Sequence, residues 1–128
     1  MVNIADDIIV DKQEQMEKIE DYCLPQETIL AVFDLKGAGT GFLGILDKRI
    51  IFYDKAFTHK KKAMVTIPYN RIHAVSSADD SGLVFKRGFF ASSTLTLHAG
   101  DDSFEFEFRG GDKAHAAYRL IIEHLLQS

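Results

Sequence analysis

The sequence predicts a mainly β protein, an antiparallel sandwich or barrel of about seven to eight strands with one helix at each end of the chain. Short segments rich in β-branched and aromatic residues recur from residue 28 to residue 109, and clusters of Gly, Asp and Lys separate them. The spacing of these segments, about 8 to 12 residues, is typical of antiparallel all-β folds. The 128 residues fit a single domain.

The N-terminal segment predicts an amphipathic helix. Residues 6–22 are dense in Asp, Glu, Lys and Gln, and their apolar residues fall roughly at helical spacing: Ile8, Ile9, Met16, Ile19 and Cys23. Pro25 ends this helix, because the residue before a proline is pushed out of the helical region. We therefore divide the chain into an N-terminal helical segment, 1–24, and a β domain, 25–128, which form one compact unit.

The β domain predicts eight strands followed by a helix. The strands cover residues 28–35, 40–46, 49–55, 63–68, 73–78, 83–86, 93–99 and 103–109. The last strand alternates, with Phe104, Phe106 and Phe108 on one face and Glu105, Glu107 and Arg109 on the other, as expected of a sheet with one solvated face. After two glycines, Asp112 is positioned to cap a helix that reaches Gln127 and has an apolar face of Ala114, Ala117, Tyr118, Ile121 and Leu125.

The predicted hairpin of residues 41–54 is apolar on both faces, so another part of the molecule must cover one of them. The N-terminal helix, the C-terminal helix or a second subunit could do so. For a self-association surface, the sequence favours Phe42, Leu43, Ile45, Ile51 and Tyr53. Phe89 and Phe90 form a second candidate patch. If exposed, they would anchor a partner or insert into a membrane beside Lys86 and Arg87, and if buried, they would plug one end of the barrel.

The segment KGAGTGFLG contains a literal G-x-G-x-x-G at Gly39, Gly41 and Gly44. A dinucleotide-binding fingerprint requires its glycines between a strand and a helix. Here the following residues, ILDKRIIFYD, are β-branched and aromatic and predict another strand. The glycines therefore indicate a tight connection and a bend in a strand rather than a phosphate site.

Composition excludes several classes of function. The 15 basic and 19 acidic side chains give a net charge of -4, which disfavours a general affinity for nucleic acid. Cys23 is the only cysteine, so an internal disulfide and a cysteine-pair zinc site are excluded. No apolar run approaches the ~18 residues of a membrane span, and the N-terminus lacks the features of a signal peptide. We therefore expect a cytoplasmic protein.

No catalytic, metal or cofactor site is predicted. The histidines at positions 59, 73, 98, 115 and 124 lack metal-ligand spacing. Glu105 and Glu107 share a face, a geometry that an acid–base pair could use, but that face is expected to be solvated. Cys23 is expected to be a buried, inert thiol.

Two segments, GFLGILDKRIIFYDK and MVTIPYNRIHAV, resemble the hairpin and the Ile-Pro-Tyr segment of bacterial pleckstrin-homology (PH) domains. The resemblance covers about residues 27–126; Leu46 departs from the threonine expected there. It implies a bent antiparallel barrel capped by the C-terminal helix, which serves as a binding platform without catalysis, and several bacterial members look built for self-association.

We therefore expect a non-enzymatic interaction module that mediates self-association or contacts with another protein. The resemblance also supports an alternative, the binding of anionic membrane surfaces or phosphoinositide-like ligands, because lipid-binding PH domains place basic residues on their first two strands. Lys36 could serve as the first of these residues. The second strand has no Lys or Arg, so the loops would have to supply the others: Lys60, Lys61, Lys62 and Arg87.

Overall fold

The computed structural model describes residues 3–36, 41–54, 63–79 and 92–127. Its eight strands, in chain order, are β1 Asn3–Val10, β2 Thr28–Asp34, β3 Phe42–Leu46, β4 Arg49–Asp54, β5 Ala63–Pro68, β6 Ile72–Asp79, β7 Ser92–Ala99 and β8 Asp102–Arg109. The helices are α1 Gln13–Tyr22 and α2 Lys113–Leu125, with a 3-10 turn at Tyr69–Arg71. The mainly β prediction is confirmed, and the predicted strand at 83–86 lies outside the described residues.

The strands form two sheets. The first has five strands in the order β1-β2-β3-β4-β5, and the second has three in the order β6-β7-β8. Between them, the 3-10 turn carries the chain from β5 into β6. A single bridge between Leu35 and Phe108 links the two sheets. Over the described residues the ladders do not close into a barrel, so the barrel prediction is corrected to two packed sheets.

The N-terminal segment differs from its prediction. Residues 3–10 form a strand, and the helix is confined to Gln13–Tyr22. β1 runs parallel to β2, and between the pairs Ile4–Ile29 and Ile9–Ala31 its register shifts, so that residues 5–8 stand opposite Leu30 alone. The predicted helix over residues 6–12 is therefore wrong. The β-branched residues near the end of β1 favour a strand, and their backbone groups form hydrogen bonds with β2 instead of within a helix.

The main core lies between the two sheets and α2. Its aromatic centre joins the sheets: Phe33 of β2 stacks on Phe108 of β8 with ring centroids 5.2 Å apart. The ring of Phe52 meets Phe106 edge-on at 5.0 Å. α2 contributes Ala114, Ala117 and Ile121, all fully buried. The inward-facing Phe positions of β8 are therefore confirmed as core residues.

A second core lies between α1 and the opposite face of the five-stranded sheet. Its buried members are Met16, Ile19, Ile29, Val32, Phe42, Leu46 and Ile51. At the centre, Gly44 lets the helix approach the sheet, because a Cβ there would lie 2.9 Å from Ile19 Cδ1. The role of Gly44 in this structure is thus close packing, since it lies within β3 and the next element is β4.

The N-terminus of α2 is capped from a neighbouring strand. The Ser93 hydroxyl of β7 accepts a hydrogen bond from the Ala114 N–H at 2.9 Å and donates one to the Gly110 carbonyl at 2.7 Å. Asp112 occupies the N-cap position, but its side chain makes no capping hydrogen bond. Its backbone is already helical in type (φ -110°, ψ -1°) instead of extended, which corrects the predicted cap.

Candidate functional site

The predicted hairpin surface lies inside the molecule. Leu43 and Ile45 face the main core, and Phe42 and Ile51 face α1; all four are buried. Tyr53 is partly buried against the same helix-covered cluster. These residues are therefore not an exposed surface in this structure. One face of the hairpin packs in the main core, and α1 covers the other face, for which the sequence pattern did not identify the covering element. Phe89 and Phe90 lie outside the described residues.

The predicted anion-binding residues are only partly described. Lys36 follows β2, and its ammonium lies 3.8 Å from the Glu107 carboxylate of β8. Lys60, Lys61, Lys62 and Arg87 lie outside the described residues. The structure therefore gives Lys36 an acidic neighbour.

Four large apolar side chains are exposed to solvent. Across the described ranges, the exposed large hydrophobic residues are Ile4 (47%), Tyr22 (47%), Leu24 (62%) and Leu126 (75%). We call these four residues the apolar end. They lie at the beginning or end of different elements, and none belongs to the periodic patterns that define the core.

Hydrogen bonds bring the first three of these residues together. The Asn3 N–H donates to the Glu27 carbonyl at 2.8 Å, which places the start of β1 beside the α1–β2 connection. In that connection, the Leu24 N–H donates to the Glu27 carboxylate at 2.8 Å. The Tyr22 carbonyl accepts a hydrogen bond of 2.9 Å from the Arg49 guanidinium at the start of β4.

A bidentate ion pair between Arg49 and Glu27 holds the α1–β2 connection in place. Arg49 Nε and Nη2 each donate to a Glu27 carboxylate oxygen at 2.8 Å, and Nη1 donates to the Thr66 hydroxyl at 2.9 Å. Burial alone would raise the pKa of Glu27, but the hydrogen bonds from Arg49 and the Leu24 N–H, with the guanidinium charge, together hold it below its ordinary value. The exposed Leu24 is thus carried on a fixed loop.

A cavity of about 530 Å³ lies between the β3–β4 turn, the 3-10 turn and the end of α2. It is lined by Asp47 and Lys48 of the β3–β4 turn, by Pro68, Tyr69 and Asn70, and by His124 and Gln127. Leu126 lies in sequence between the two last lining residues.

The aromatic wall of the cavity is fixed by hydrogen bonds. The Tyr69 hydroxyl donates to the Leu46 carbonyl at 2.5 Å. The His124 ring stacks on Tyr69 with centroids 6.2 Å apart, and its Nδ1 lies 2.9 Å from the Leu120 carbonyl. With Nδ1 donating to that carbonyl, Nε2 is left as an acceptor in neutral His124.

The electrostatic potential near the cavity is shaped by Asp47. Burial, and then the negative charge of Asp47, raise the pKa of the Tyr69 hydroxyl well above its ordinary range. Asp47 Oδ1 accepts a hydrogen bond of 3.1 Å from the Thr28 N–H, which fixes the carboxylate. The cavity therefore combines an apolar wall with a positioned negative charge.

A smaller cavity, of about 290 Å³, lies between α1 and the sheet and includes Gln15, Lys18 and Asp34. Its carboxylate is already satisfied: Asp34 accepts hydrogen bonds from Gln15 at 2.7 Å and from Arg109 at 3.0 Å. Lys12 adds a further cation at 3.7 Å. The Asp34 charge is thus compensated by basic residues of the same chain.

The side chains considered for catalysis have ordinary structural surroundings. Burial, with the nearby Glu27 charge, raises the pKa of the Cys23 thiol to about 11, and the thiol donates to the Ile19 carbonyl. Such a thiol is a poor nucleophile at neutral pH. In the part of the chain that the structure describes, no three His, Cys, Asp or Glu residues are grouped to hold a metal ion.

Residues 10–123 match the sequence model of the family described as "Bacterial PH domain". The chain belongs to the bacterial PH domain family. This match spans α1, β2 to β8 and most of α2, and the PH-like fold indicates a binding module.

Solved structures show the same fold. The chain is similar to a DUF1696 family protein with a pleckstrin-homology domain from Shewanella loihica, with a TM-score of 0.61 and 16% identity over 88% of this chain and 92% of that one. It is also similar to a pleckstrin homology domain from Shewanella amazonensis, with a TM-score of 0.59 and 18% identity over 91% and 99%. The C-terminal domain of a protein from Leishmania infantum gives a TM-score of 0.53 and 16% identity over 89% and 94%.

A search of curated proteins found no match. Within the described residues, no helix is both long enough and apolar enough to span a membrane.

Proposed function

We propose that this bacterial PH domain is a non-enzymatic module that binds another protein through its apolar end. The observation that carries the proposal is the exposure of four large apolar residues, Ile4, Tyr22, Leu24 and Leu126, each at least 47% exposed. A cavity of about 530 Å³ is lined by Asp47, which is hydrogen-bonded to Thr28 at the start of β2. Large apolar and aromatic side chains that flank a pocket are typical anchors of protein interfaces. The Glu27–Arg49 ion pair supports the proposal, because a fixed loop loses little entropy on binding.

The size of this surface favours a transient partner over a permanent oligomer. Stable complexes bury about 1,200–2,000 Å² in total, and permanent dimers often bury more, with a continuous apolar interface. The continuous apolar face of this chain, on the β2–β4 strands, is covered by its own α1. Four separate side chains beside a cavity suit the docking of a short segment of a different protein.

Site-specific photo-crosslinking tests the proposal. A benzophenone amino acid replaces Leu126 in the full chain, which is then added to a lysate of the source cells and illuminated. The control places the same group at Glu105, an exposed position on β8 of the other sheet. We expect a specific protein adduct from position 126, absent from position 105 and lost when Leu24 is also changed to Glu.

Equal adducts from positions 105 and 126, or adducts unaffected by Leu24→Glu, would contradict the proposal. Adducts containing only a second copy of this chain would replace the heterologous partner by self-association. The same samples mixed with anionic vesicles test the membrane alternative, since salt-sensitive co-sedimentation by the wild-type chain would favour it.

A further inference from the structure

The cavity at the apolar end has the size of a site for one long side chain or a small ligand. Binding pockets occupy roughly 300–1,000 Å³ and combine an apolar lining with a few positioned polar groups. Here Pro68 and Tyr69 provide apolar surface, and Asp47, Asn70 and His124 provide polar atoms around it.

Asp47 is the feature of this cavity that selects a ligand. Its Oδ1 accepts the Thr28 N–H, yet across the described ranges no Lys, Arg or His nitrogen pairs with its carboxylate within 4.0 Å. By contrast, Glu27 and Asp34 each have a basic partner within 3.0 Å. Lys48, the adjacent turn residue, is exposed, and no ion pair joins it to another residue that the structure describes.

Other groups around the cavity add to its preference for a positive charge. α2 ends at Leu125, and the carboxyl end of a helix carries a partial negative charge. The Asp47 charge also acts on the Tyr69 hydroxyl, whose pKa is raised by burial and then by that charge. The Tyr69 ring offers a face of the kind over which Lys and Arg side chains are attracted.

We propose that this cavity receives the ammonium or guanidinium group of a Lys or Arg side chain from the protein that docks on the apolar end. The inference rests on the proposed function and specifies its partner: a basic residue flanked by apolar ones. The cation pairs with Asp47, and the neighbouring apolar residues contact Leu24 and Leu126. Two copies of this chain, each with a net charge of -4, repel one another, which favours a basic heterologous segment.

A titration of the purified full chain, followed by amide nitrogen–proton NMR spectra, tests the inference. The probe is N-acetyl-arginine amide at millimolar concentrations, and the matched neutral probe is N-acetyl-citrulline amide, which has nearly the same shape. We expect saturable shifts at the amides of Lys48, Asn70 and Gln127 with the arginine probe, and binding at least about threefold weaker with the citrulline probe.

Three variants assign the binding to Asp47. Asp47→Asn keeps an acceptor for the Thr28 N–H but removes the charge, so we expect about three- to fivefold weaker binding. Lys48→Gln removes a competing cation, so binding should strengthen about twofold. Asp101→Asn, at an exposed position in the β7–β8 turn, should leave it unchanged.

Absence of saturable shifts at the cavity, equal affinity for the two probes, or equal effects of Asp47→Asn and Asp101→Asn would overturn the inference. These outcomes are distinct from a failure of the proposed function. The probe has no apolar side chain, and the crosslinking test does not depend on Asp47. If a partner protein is crosslinked but the arginine probe does not bind, the proposed protein-binding function stands and the proposal that the partner supplies a basic residue is rejected.

Discussion

Replacement of Gly44 by Ala tests the packing of α1 on the sheet. A Cβ at this position would lie 2.9 Å from Ile19 Cδ1, 3.1 Å from Ile51 Cγ2 and 3.3 Å from Ile19 Cγ1. An extra methyl in a packed core costs about 1–3 kcal/mol, and Ala stabilises the chain by about 0.4–1 kcal/mol through the unfolded state. We therefore expect Gly44→Ala to lower the free energy of unfolding by about 1–2 kcal/mol, or Tm by about 4–8 °C.

Urea denaturation followed by circular dichroism measures this loss, and Ile19→Val shows its origin. The Ile19 variant alone should cost about 0.5–1.5 kcal/mol. In the double variant the missing Cδ1 leaves room for the methyl group introduced at position 44, so the combined cost should be about 1 kcal/mol less than the sum. Gly100→Ala is the control. Gly100 has a φ of +64°, and a Cβ there would meet no atom within 4 Å, so the cost of this substitution comes from backbone strain and should add to the cost of Ile19→Val. Wild-type stability of Gly44→Ala, or additive costs for Gly44→Ala and Ile19→Val, would refute the packing argument.

Three further predictions concern stability and reactivity. Ser93→Ala removes the hydroxyl that caps α2 and should cost about 1–2 kcal/mol in urea denaturation; an unchanged midpoint would show that the cap is dispensable. The pKa of Glu27 is lowered in the folded state, so its contribution is complete above its ordinary value of 4.5 and is lost as pH falls through the folded value. Stability measured between pH 7 and pH 3 should therefore fall less in Glu27→Gln than in the wild type, and equal slopes would contradict this. Cys23, with its pKa raised from 9.0 to about 11, should hold about 100-fold less thiolate at pH 8 than an ordinary cysteine and react at least about tenfold more slowly with a disulfide reagent such as DTNB; a normal rate would be inconsistent with its burial.

The sequence was informative wherever one local pattern determined the structure. Alternation along β8 correctly placed Phe106 and Phe108 in the core, and the helical spacing of Ala114, Ala117 and Ile121 identified the buried face of α2. The residues after Gly44 predicted a strand, and the structure has β3 and β4 there. These features depend on residues close together in the chain, and periodicity reports on such residues directly.

Tertiary contacts decided the features that the sequence did not predict. Ile8 and Ile9 fit a helical stripe as well as a strand, and only pairing with β2 selects the strand. Ser93 caps a helix that begins about 20 residues later in the chain, a contact that no local pattern encodes. The apolar end was missed because Leu24 and Leu126 are single residues at element boundaries, with no periodicity to mark them.

Binding of the crosslinked partner to the purified chain tests the central claim most directly. Isothermal titration should give an affinity for the wild type at least about 30-fold higher than for the Leu24→Glu, Leu126→Glu double variant, as expected when anchor residues worth about 2 kcal/mol or more are lost. Glu105→Gln on the other sheet should bind like the wild type. Equal affinity of the wild type and the double variant would contradict the assignment of protein binding to the apolar end.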